Sequence, residues 1–131
     1  MAQKQAEPTS DILVVDDEAD IRILIAGILQ DEGYLTREAS SSDEALEQVK
    51  MRAPALVILD IWLENSRMDG LQLLQAIKSM RPSVPVVMIS GHGTVATAVQ
   101  AIKHGAYDFI EKPFEADRLL LVIGRAIEAA R

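Results

Sequence analysis

The sequence predicts an α/β domain built on a doubly wound sheet of five parallel strands, and three observations support this prediction. Short apolar runs alternate along the chain with segments whose apolar residues recur at helical spacing. Two of the runs, Ile12–Val15 and Leu56–Leu59, are continuously apolar, which is typical of strands covered by helices on both faces. The length of 131 residues, 49% of them hydrophobic, favours one domain with a substantial core.

Local signals mark the first two strand–helix units. An apolar stripe at helical spacing follows the first strand and ends at Gly33; it comprises Ile21, Leu24, Ile25, Ile28 and Leu29. The segment Tyr34–Glu38 is short and mostly polar, so we expect it to be an edge strand. Ser41, with Glu44 three residues later, predicts a capping box that opens the second helix, whose inward residues are Ala45, Leu46 and Val49.

The remaining units follow in the same order. Asp69-Gly70 is expected to open the third helix, with its inward face formed by Leu71, Leu74 and Ile77. Val86–Ile89 reads as the fourth strand, and an Ala-rich helix is expected at about Thr94–His104. Gly105 ends that helix before a fifth strand at Tyr107–Ile110. The last helix, about Glu115–Ala130, should bury Leu119, Val122, Ile123, Ala126 and Ile127.

Composition excludes several classes of function. The formal net charge of −7 argues against nucleic acid or an anionic membrane as a direct partner. The absence of cysteine removes disulfides, thiol catalysis and cysteine-based zinc sites. We find no apolar stretch of membrane-spanning length and expect a cytoplasmic domain over residues 11–131. Residues 1–10 are polar and are expected to form a disordered N-terminal arm.

Charged side chains close three of the predicted strands. The pair Asp16-Asp17 follows the first strand, Asp60 ends the third, and Lys112 comes just after the fifth. Ligands of open α/β sheets bind beyond the carboxyl ends of the strands, where these residues would meet. Mg²⁺ prefers oxygen ligands and uses one or two carboxylates together with phosphate oxygens. The sequence therefore predicts a magnesium site made by Asp16, Asp17 and Asp60, to which the backbone carbonyl of Trp62 could contribute.

The same arrangement suits phosphoryl transfer. A carboxylate beside Mg²⁺ can act as a nucleophile toward phosphorus and form an aspartyl-phosphate. We expect Asp60 to be this nucleophile, because it stands alone on its strand while the paired aspartates hold the metal. Lys112 would neutralise the phosphoryl oxygens opposite the metal, and the Ser90 hydroxyl would donate a hydrogen bond to one of them.

Four segments resemble the receiver domain of two-component response regulators: DILVVDDE, LVILD, MISGHG and GAYDFIEKPF. The resemblance extends from about Asp11 to Arg131, and it is specific because separated elements agree in order and spacing. Within that family the chain is most similar to the NtrX/NtrC nitrogen-regulation branch, especially in the segments DIWLENSRMDG and FIEKPF. The resemblance implies a flavodoxin-like (βα)5 fold with strand order 2-1-3-4-5.

The resemblance also implies a role for each matching residue. Asp60 would accept a phosphoryl group from a sensor histidine kinase, with Asp16 and Asp17 beside it around Mg²⁺. Ser90 and Phe109 would be the switch residues, and the bond between Lys112 and Pro113 would be cis. Phosphorylation would change the face formed by the fourth helix, fifth strand and fifth helix, which mediates homodimerisation in the family. The output in such proteins is transcriptional control through further domains, and the receiver itself is a signalling domain rather than an enzyme.

One segment departs from the family pattern, and three other functions compete with the receiver hypothesis. The stretch Ile61–Met68 lacks the proline that receivers commonly carry there and places Asp69 nine residues after Asp60. The main alternative is a Mg²⁺-dependent phosphohydrolase with an aspartyl nucleophile, although such enzymes usually carry a D-x-D arrangement after the first strand. A flavodoxin-like cofactor binder is disfavoured because the first loop lacks a Ser/Thr/Gly-rich phosphate cradle. An interaction module that has lost phosphorylation is disfavoured because all the site positions are filled.

Overall fold

A computed structural model of the chain describes residues 10–64, 66–91 and 94–130. Strands and helices alternate along these residues in the order β1 (Asp11–Val15), α1 (Ala19–Asp31), β2 (Leu35–Ala39), α2 (Ser42–Met51), β3 (Leu56–Asp60), α3 (Gly70–Met80), β4 (Val86–Ser90), α4 (Val95–Lys103), β5 (Asp108–Glu111) and α5 (Ala116–Ala130). Each predicted strand and helix is therefore present, and the predicted boundaries differ from the observed ones by no more than one residue. The predicted arm lies outside the described residues except for Ser10, whose carbonyl accepts a hydrogen bond from the N–H of Leu35.

The strands form one parallel sheet in the order β2-β1-β3-β4-β5, which confirms the predicted flavodoxin-like topology. The polar β2 is an edge strand, as expected, and the apolar β1 and β3 are central. In the register of the sheet, Val15 lies opposite Leu59, and Asp60 lies opposite Ile89. The carboxyl ends of these strands consequently finish at one level, and the residues that follow them share one edge of the sheet.

The core has two halves, one on each side of the sheet. Leu13 and Leu59 belong to the half covered by α2, α3 and α4, and Ile12 and Ile58 belong to the half covered by α1 and α5. Neighbouring residues of a strand point to opposite faces, so both kinds of position must be apolar when both faces are covered. This double coverage explains the uninterrupted apolar runs of β1 and β3.

The helices agree with the predicted patterns except at three points. In α3, Leu73 is fully buried although it was not predicted to face inward, and Leu71 is only half-buried. Leu24 is 52% exposed, because the buried face of α1 is centred on Ile25 and Leu29 and the predicted stripe of five apolar residues is wider than this face. The capping box predicted for α2 is only half formed. The hydroxyl of Ser41 accepts the N–H of Glu44 at 3.3 Å, but the Glu44 carboxylate accepts the N–H of Ser40 at 2.6 Å instead of returning to Ser41.

Among the described residues, no helix combines the length and the apolar character that crossing a bilayer would require.

Candidate functional site

Three carboxylates meet at the carboxyl edge of the sheet. Asp16 follows β1 and is fully buried, Asp60 is the last residue of β3 and is 4% exposed, and Asp17 is half-buried. One oxygen atom from each of the three lies within 4.8 Å of the others. The structure therefore brings together the three aspartates that the sequence singled out, although Asp60 is separated from the pair by more than 40 positions in the sequence.

Hydrogen bonds from the N-cap residue of α1 and from a distant lysine hold the Asp16 carboxylate. One oxygen accepts the backbone N–H of Glu18 at 2.9 Å, and the other accepts the ammonium group of Lys112 at 3.2 Å. The backbone carbonyl of Asp16 accepts a hydrogen bond of 2.7 Å from Arg22, whose guanidinium also pairs with Glu38 on β2. Arg22 thus fixes the turn that presents the paired aspartates, a role that sequence reasoning missed because Arg22 lies on the surface stripe of a helix.

Lys112 is the positive charge at the centre of this edge. Its Nζ lies 3.9 Å from an oxygen of Asp60 and 3.9 Å from an oxygen of Glu18, in addition to its contact with Asp16. The side chain is only 17% exposed. The backbone N–H of Lys112 donates to the carbonyl of Ser90 at 2.8 Å, which continues the pairing of β5 with β4. The peptide bond between Lys112 and Pro113 is cis.

The Asp60 carboxyl is the group whose protonation the site perturbs most clearly. Burial, and then the negative charge of Asp16, raise its pKa from 3.8 to about 6, with a smaller contribution from Asp17. Lys112 and the backbone N–H of Trp62, which donates to Asp60 Oδ1 at 3.3 Å, oppose this rise. The ionised carboxylate is therefore under-compensated by the protein's own groups.

The uncompensated negative charge of the cluster is what a bound cation would neutralise. Three carboxylates face one lysine, and the donor atoms are all oxygens, as a hard divalent ion such as Mg²⁺ requires. A cleft of about 190 Å³ opens onto Asp17 and Asp60. The residues present thus fit Mg²⁺ in chemistry, in charge and in access.

The rim of that cleft contains residues that the sequence analysis did not assign. Glu18 and Glu64 line it together with Trp62 and Gly91. Glu18 could have been anticipated because it directly follows the aspartate pair, whereas Glu64 lies in a loop without any periodic signal. The Trp62 side chain is 48% exposed. The rim is consequently acidic, with one large aromatic side chain above the carboxylates.

The two predicted switch residues lie on adjacent strands. Ser90 is the last residue of β4 and is fully buried. Phe109 lies on β5 opposite Met88 and is half-buried against the core half that α2, α3 and α4 cover. Both therefore lie between the carboxylate edge and α4, where a change at the edge could reach the helix.

A close backbone contact places the N-terminus of α3 against the end of β3. The N–H of Gly70 donates to the carbonyl of Ile61 at 3.1 Å, and a Cβ atom at position 70 would lie 2.4 Å from the Ile61 Cα. Only glycine permits this approach. Asp69 and Gln72 form a complete capping box at the start of α3.

Known proteins with similar sequences belong to a family that is consistent with this geometry. Residues 12–124 match the response regulator receiver domain family. The chain is 62% identical over 121 residues to the nitrogen assimilation regulatory protein NtrX of Azorhizobium caulinodans, which covers 92% of this chain and 27% of that protein. The chain thus spans about a quarter of the length of this curated relative.

Solved structures give the same result. The crystal structure of the receiver domain of NtrX from Brucella abortus has a TM-score of 0.88 and 66% identity, covering 90% of this chain and 98% of the other. The solution structure of the beryllofluoride-activated NtrC4 receiver domain dimer has a TM-score of 0.86 and 41% identity, covering 92% and 98%. Sequence, fold and the carboxylate–lysine edge agree, and the chain belongs to the response regulator receiver domain family, where it is of the NtrX type.

Proposed function

We propose that Asp60 accepts a phosphoryl group from a sensor histidine kinase and that the resulting charge switches a surface of this domain. Phosphoryl transfer is general to the family. The observation that carries the assignment to Asp60 is the position of its carboxylate, which is nearly buried and 3.9 Å from Lys112 Nζ within the three-aspartate cluster. Its raised pKa reflects the same under-compensated charge.

We assign the magnesium ligands to Asp16, Asp17, Asp60 and the backbone carbonyl of Trp62. When bound, Mg²⁺ neutralises phosphoryl oxygens and lowers the barrier to their approach to a carboxylate. Asp16 is already oriented by Glu18 and Lys112, so this part of the site is pre-organised. Asp17 is half-buried at the mouth of the cleft, where an incoming ion would meet it.

The transfer itself needs few protein groups. An oxygen of Asp60 forms a bond to phosphorus while the phosphorus–nitrogen bond of the donor phosphohistidine breaks, and the electron pair of that bond returns to the ring nitrogen. Lys112, whose Nζ lies 3.2 Å from Asp16 and 3.9 Å from Asp60, would supply positive charge to the phosphoryl oxygens. Ser90, at the end of the neighbouring strand, would donate its hydroxyl to one of these oxygens.

Labelling of the wild-type protein tests this proposal. With acetyl phosphate and Mg²⁺ we expect intact mass to increase by a single phosphoryl group, and with a chelator we expect no increase. The competing phosphohydrolase hypothesis predicts sustained release of phosphate from generic phosphomonoesters instead. Continuous turnover of those substrates without labelling of the protein would therefore contradict the receiver assignment.

We further propose that phosphorylation acts through Ser90 and Phe109 on the face formed by α4, β5 and α5. The hydroxyl of Ser90 would move toward the new charge, and Phe109 would move into the space vacated. A groove of about 510 Å³ on this face is lined mainly by apolar side chains, among which Val95 and Val99 are exposed, together with Lys103 and Asp108. The NtrC4 receiver domain forms a dimer in its beryllofluoride-activated form, and we expect this chain to do likewise.

Light scattering of the beryllofluoride-treated protein measures the dimer. We expect the mass to double when beryllofluoride and Mg²⁺ are added, and Ile102→Glu to prevent this because it puts a charge on the proposed face. Ile23→Glu is the matched control, because Ile23 is also exposed but lies on α1, which is not part of the proposed face. An unchanged mass for the treated wild type would contradict phosphorylation-linked dimerisation.

The wider role of the protein is carried over from its relatives. We propose a cytoplasmic signalling domain, without catalytic turnover of external substrates, within a regulator whose output is transcriptional and related to nitrogen metabolism. The Azorhizobium relative is a nitrogen assimilation regulatory protein, which supports this proposal. The net charge of −7 supports the expectation that this domain does not itself contact nucleic acid.

A further inference from the structure

The long loop between β3 and α3 is fastened to the first turn of α2. The backbone N–H of Ser42 donates to the hydroxyl of Ser66 at 2.8 Å, and the backbone N–H of Met68 donates to the hydroxyl of Ser42 at 3.2 Å. The two bonds are reciprocal, since each serine hydroxyl accepts from the opposite segment. Ser42 is fully buried and Ser66 is half-buried, so this contact is partly shielded from solvent.

The contact also completes the N-terminus of α2. Ser42 is the first residue of that helix, and its N–H is one of the four that have no partner within the helix. The side chain of Ser41 satisfies the N–H of Glu44, and the loop satisfies that of Ser42. The first turn of α2 thus depends on a hydroxyl supplied by a distant segment, and the position of that segment depends on α2.

The opposite end of the same loop lies at the carboxylate edge. The N–H of Trp62 donates to Asp60 Oδ1, and Trp62 and Glu64 line the cleft above the aspartates. Ser66 follows Trp62 by four positions. The loop is therefore held at the phosphoacceptor on one side and at α2 on the other, with few residues between the two attachments.

We propose that the Ser42–Ser66 hydrogen bonds position this loop for cation binding and thereby couple the first turn of α2 to the metal site. The proposal rests on the assigned role of Asp60 and of the Trp62 carbonyl in holding Mg²⁺. Ser42 and Ser66 are positioning residues, since they act through the loop and do not lie among the proposed ligands. Groups that hydrogen-bond directly to metal ligands typically change metal affinity by about 10- to 100-fold when they are removed. The two serines act one step further from the ligands, so we expect an effect at the lower end of this range.

Reciprocity makes the coupling measurable from both ends. If the loop position favours Mg²⁺ binding, then bound Mg²⁺ must favour the loop position by the same factor. The hydrogen bond from Ser42 to Ser66 should consequently open less often when the ion is bound. A role confined to helix stability predicts that Mg²⁺ protects the Ser42 amide no more than the other amides of α2, through its general stabilisation of the folded state.

The experiment compares wild type, Ser66→Ala, Ser66→Thr and Ser79→Ala. Mg²⁺ affinity is read from the fluorescence of Trp62, the single tryptophan, and from calorimetry, with folding verified by circular dichroism. We expect Ser66→Ala to weaken Mg²⁺ binding about tenfold and Ser66→Thr, which keeps the hydroxyl, to stay within about twofold of wild type. Ser79→Ala, at an exposed position near the end of α3, should leave the affinity unchanged.

Hydrogen exchange supplies the second readout. In wild type, saturating Mg²⁺ should slow exchange of the Ser42 amide more than that of the other amides of α2, and in Ser66→Ala this extra protection should disappear. Equal Mg²⁺ affinity in wild type and Ser66→Ala would overturn the coupling while leaving the proposed metal site intact. Failure of wild type to bind Mg²⁺ at all would instead contradict the metal site, and the coupling with it.

Discussion

Asp60→Asn should abolish phosphoryl labelling and, in the presence of a chelator, raise the free energy of unfolding by about 2 to 3 kcal/mol at pH 7.5. The first effect follows because the amide has no nucleophilic carboxylate oxygen. The second follows from the pKa of Asp60, which is raised from 3.8 to about 6 chiefly by burial and by the charge of Asp16. At pH 7.5 the folded metal-free protein must hold this carboxylate ionised in a site that disfavours the charge.

The sign of the pH dependence follows from the same shift. A carboxyl group whose pKa is higher in the folded state contributes stability that is fully present below pH 4 and is lost as the pH rises through 6. The free energy of unfolding of wild type, relative to Asp60→Asn, should therefore decrease between about pH 4 and pH 7 and then level off. Saturating Mg²⁺ should reduce the advantage of the variant, because the ion stabilises the wild-type folded state.

Chemical denaturation across this pH range, with chelator, measures the effect. Glu47→Gln is the charge-matched control, since Glu47 is an exposed carboxylate on α2 and its removal should change the free energy of unfolding by less than about 0.5 kcal/mol. If Asp60→Asn were less stable than wild type throughout the range, the electrostatic description of the site would be wrong. Continued labelling of the variant would show that another residue is the phosphoacceptor.

Gly70→Ala should lower the free energy of unfolding by about 3 kcal/mol. The added Cβ would lie 2.4 Å from the Ile61 Cα, 2.5 Å from the Ile61 carbonyl oxygen and 2.6 Å from the Asp60 carbonyl oxygen. All three are backbone atoms, so no side-chain rotation relieves the clash. The N-terminus of α3 must move away from the end of β3. Asp60 then loses the packing of α3 against its backbone and against Ile61. Phosphoryl labelling should consequently also be slower.

A second glycine provides the control for this substitution. Gly124 lies within α5, and a Cβ placed there meets nothing within 4 Å. Gly124→Ala should therefore raise the free energy of unfolding by up to about 1 kcal/mol, because alanine is the better helix former. Urea denaturation of both variants measures the contrast. Equal effects of the two substitutions would show that the approach of Gly70 to Ile61 is not tight in solution.

Much of the fold could be predicted because its signals are local. The apolar runs ending in Asp16 and Asp60 specify covered parallel strands, and the glycines and caps specify where helices stop and start. The family resemblance added the strand order, which the pattern of elements alone does not determine. The prediction for Leu24 was wrong because periodicity identifies an apolar stripe but does not determine how much of the stripe the neighbouring elements cover.

The sequence predicted those site residues whose position in a strand is unusual for their chemistry, but not the contacts that hold them in place. A carboxylate that ends a buried strand has little structural justification, so Asp60 stood out. The supporting contacts did not, because each joins segments far apart in the chain. Arg22 reaches the carbonyl of Asp16, and Ser66 reaches Ser42, through positions that no spacing rule connects.

The uninterrupted apolar strands have one more consequence, which concerns alignment. A strand that is apolar on both faces still buries apolar side chains when its register against the neighbouring strand shifts by one residue. The apolar pattern alone therefore does not determine the register. A slip of β3 would instead carry Asp60 toward the dry interior or leave an apolar residue in its place at the wet edge. The acidic residues of the site thus also help to fix the register of the strands, because a shifted register would bury their charges.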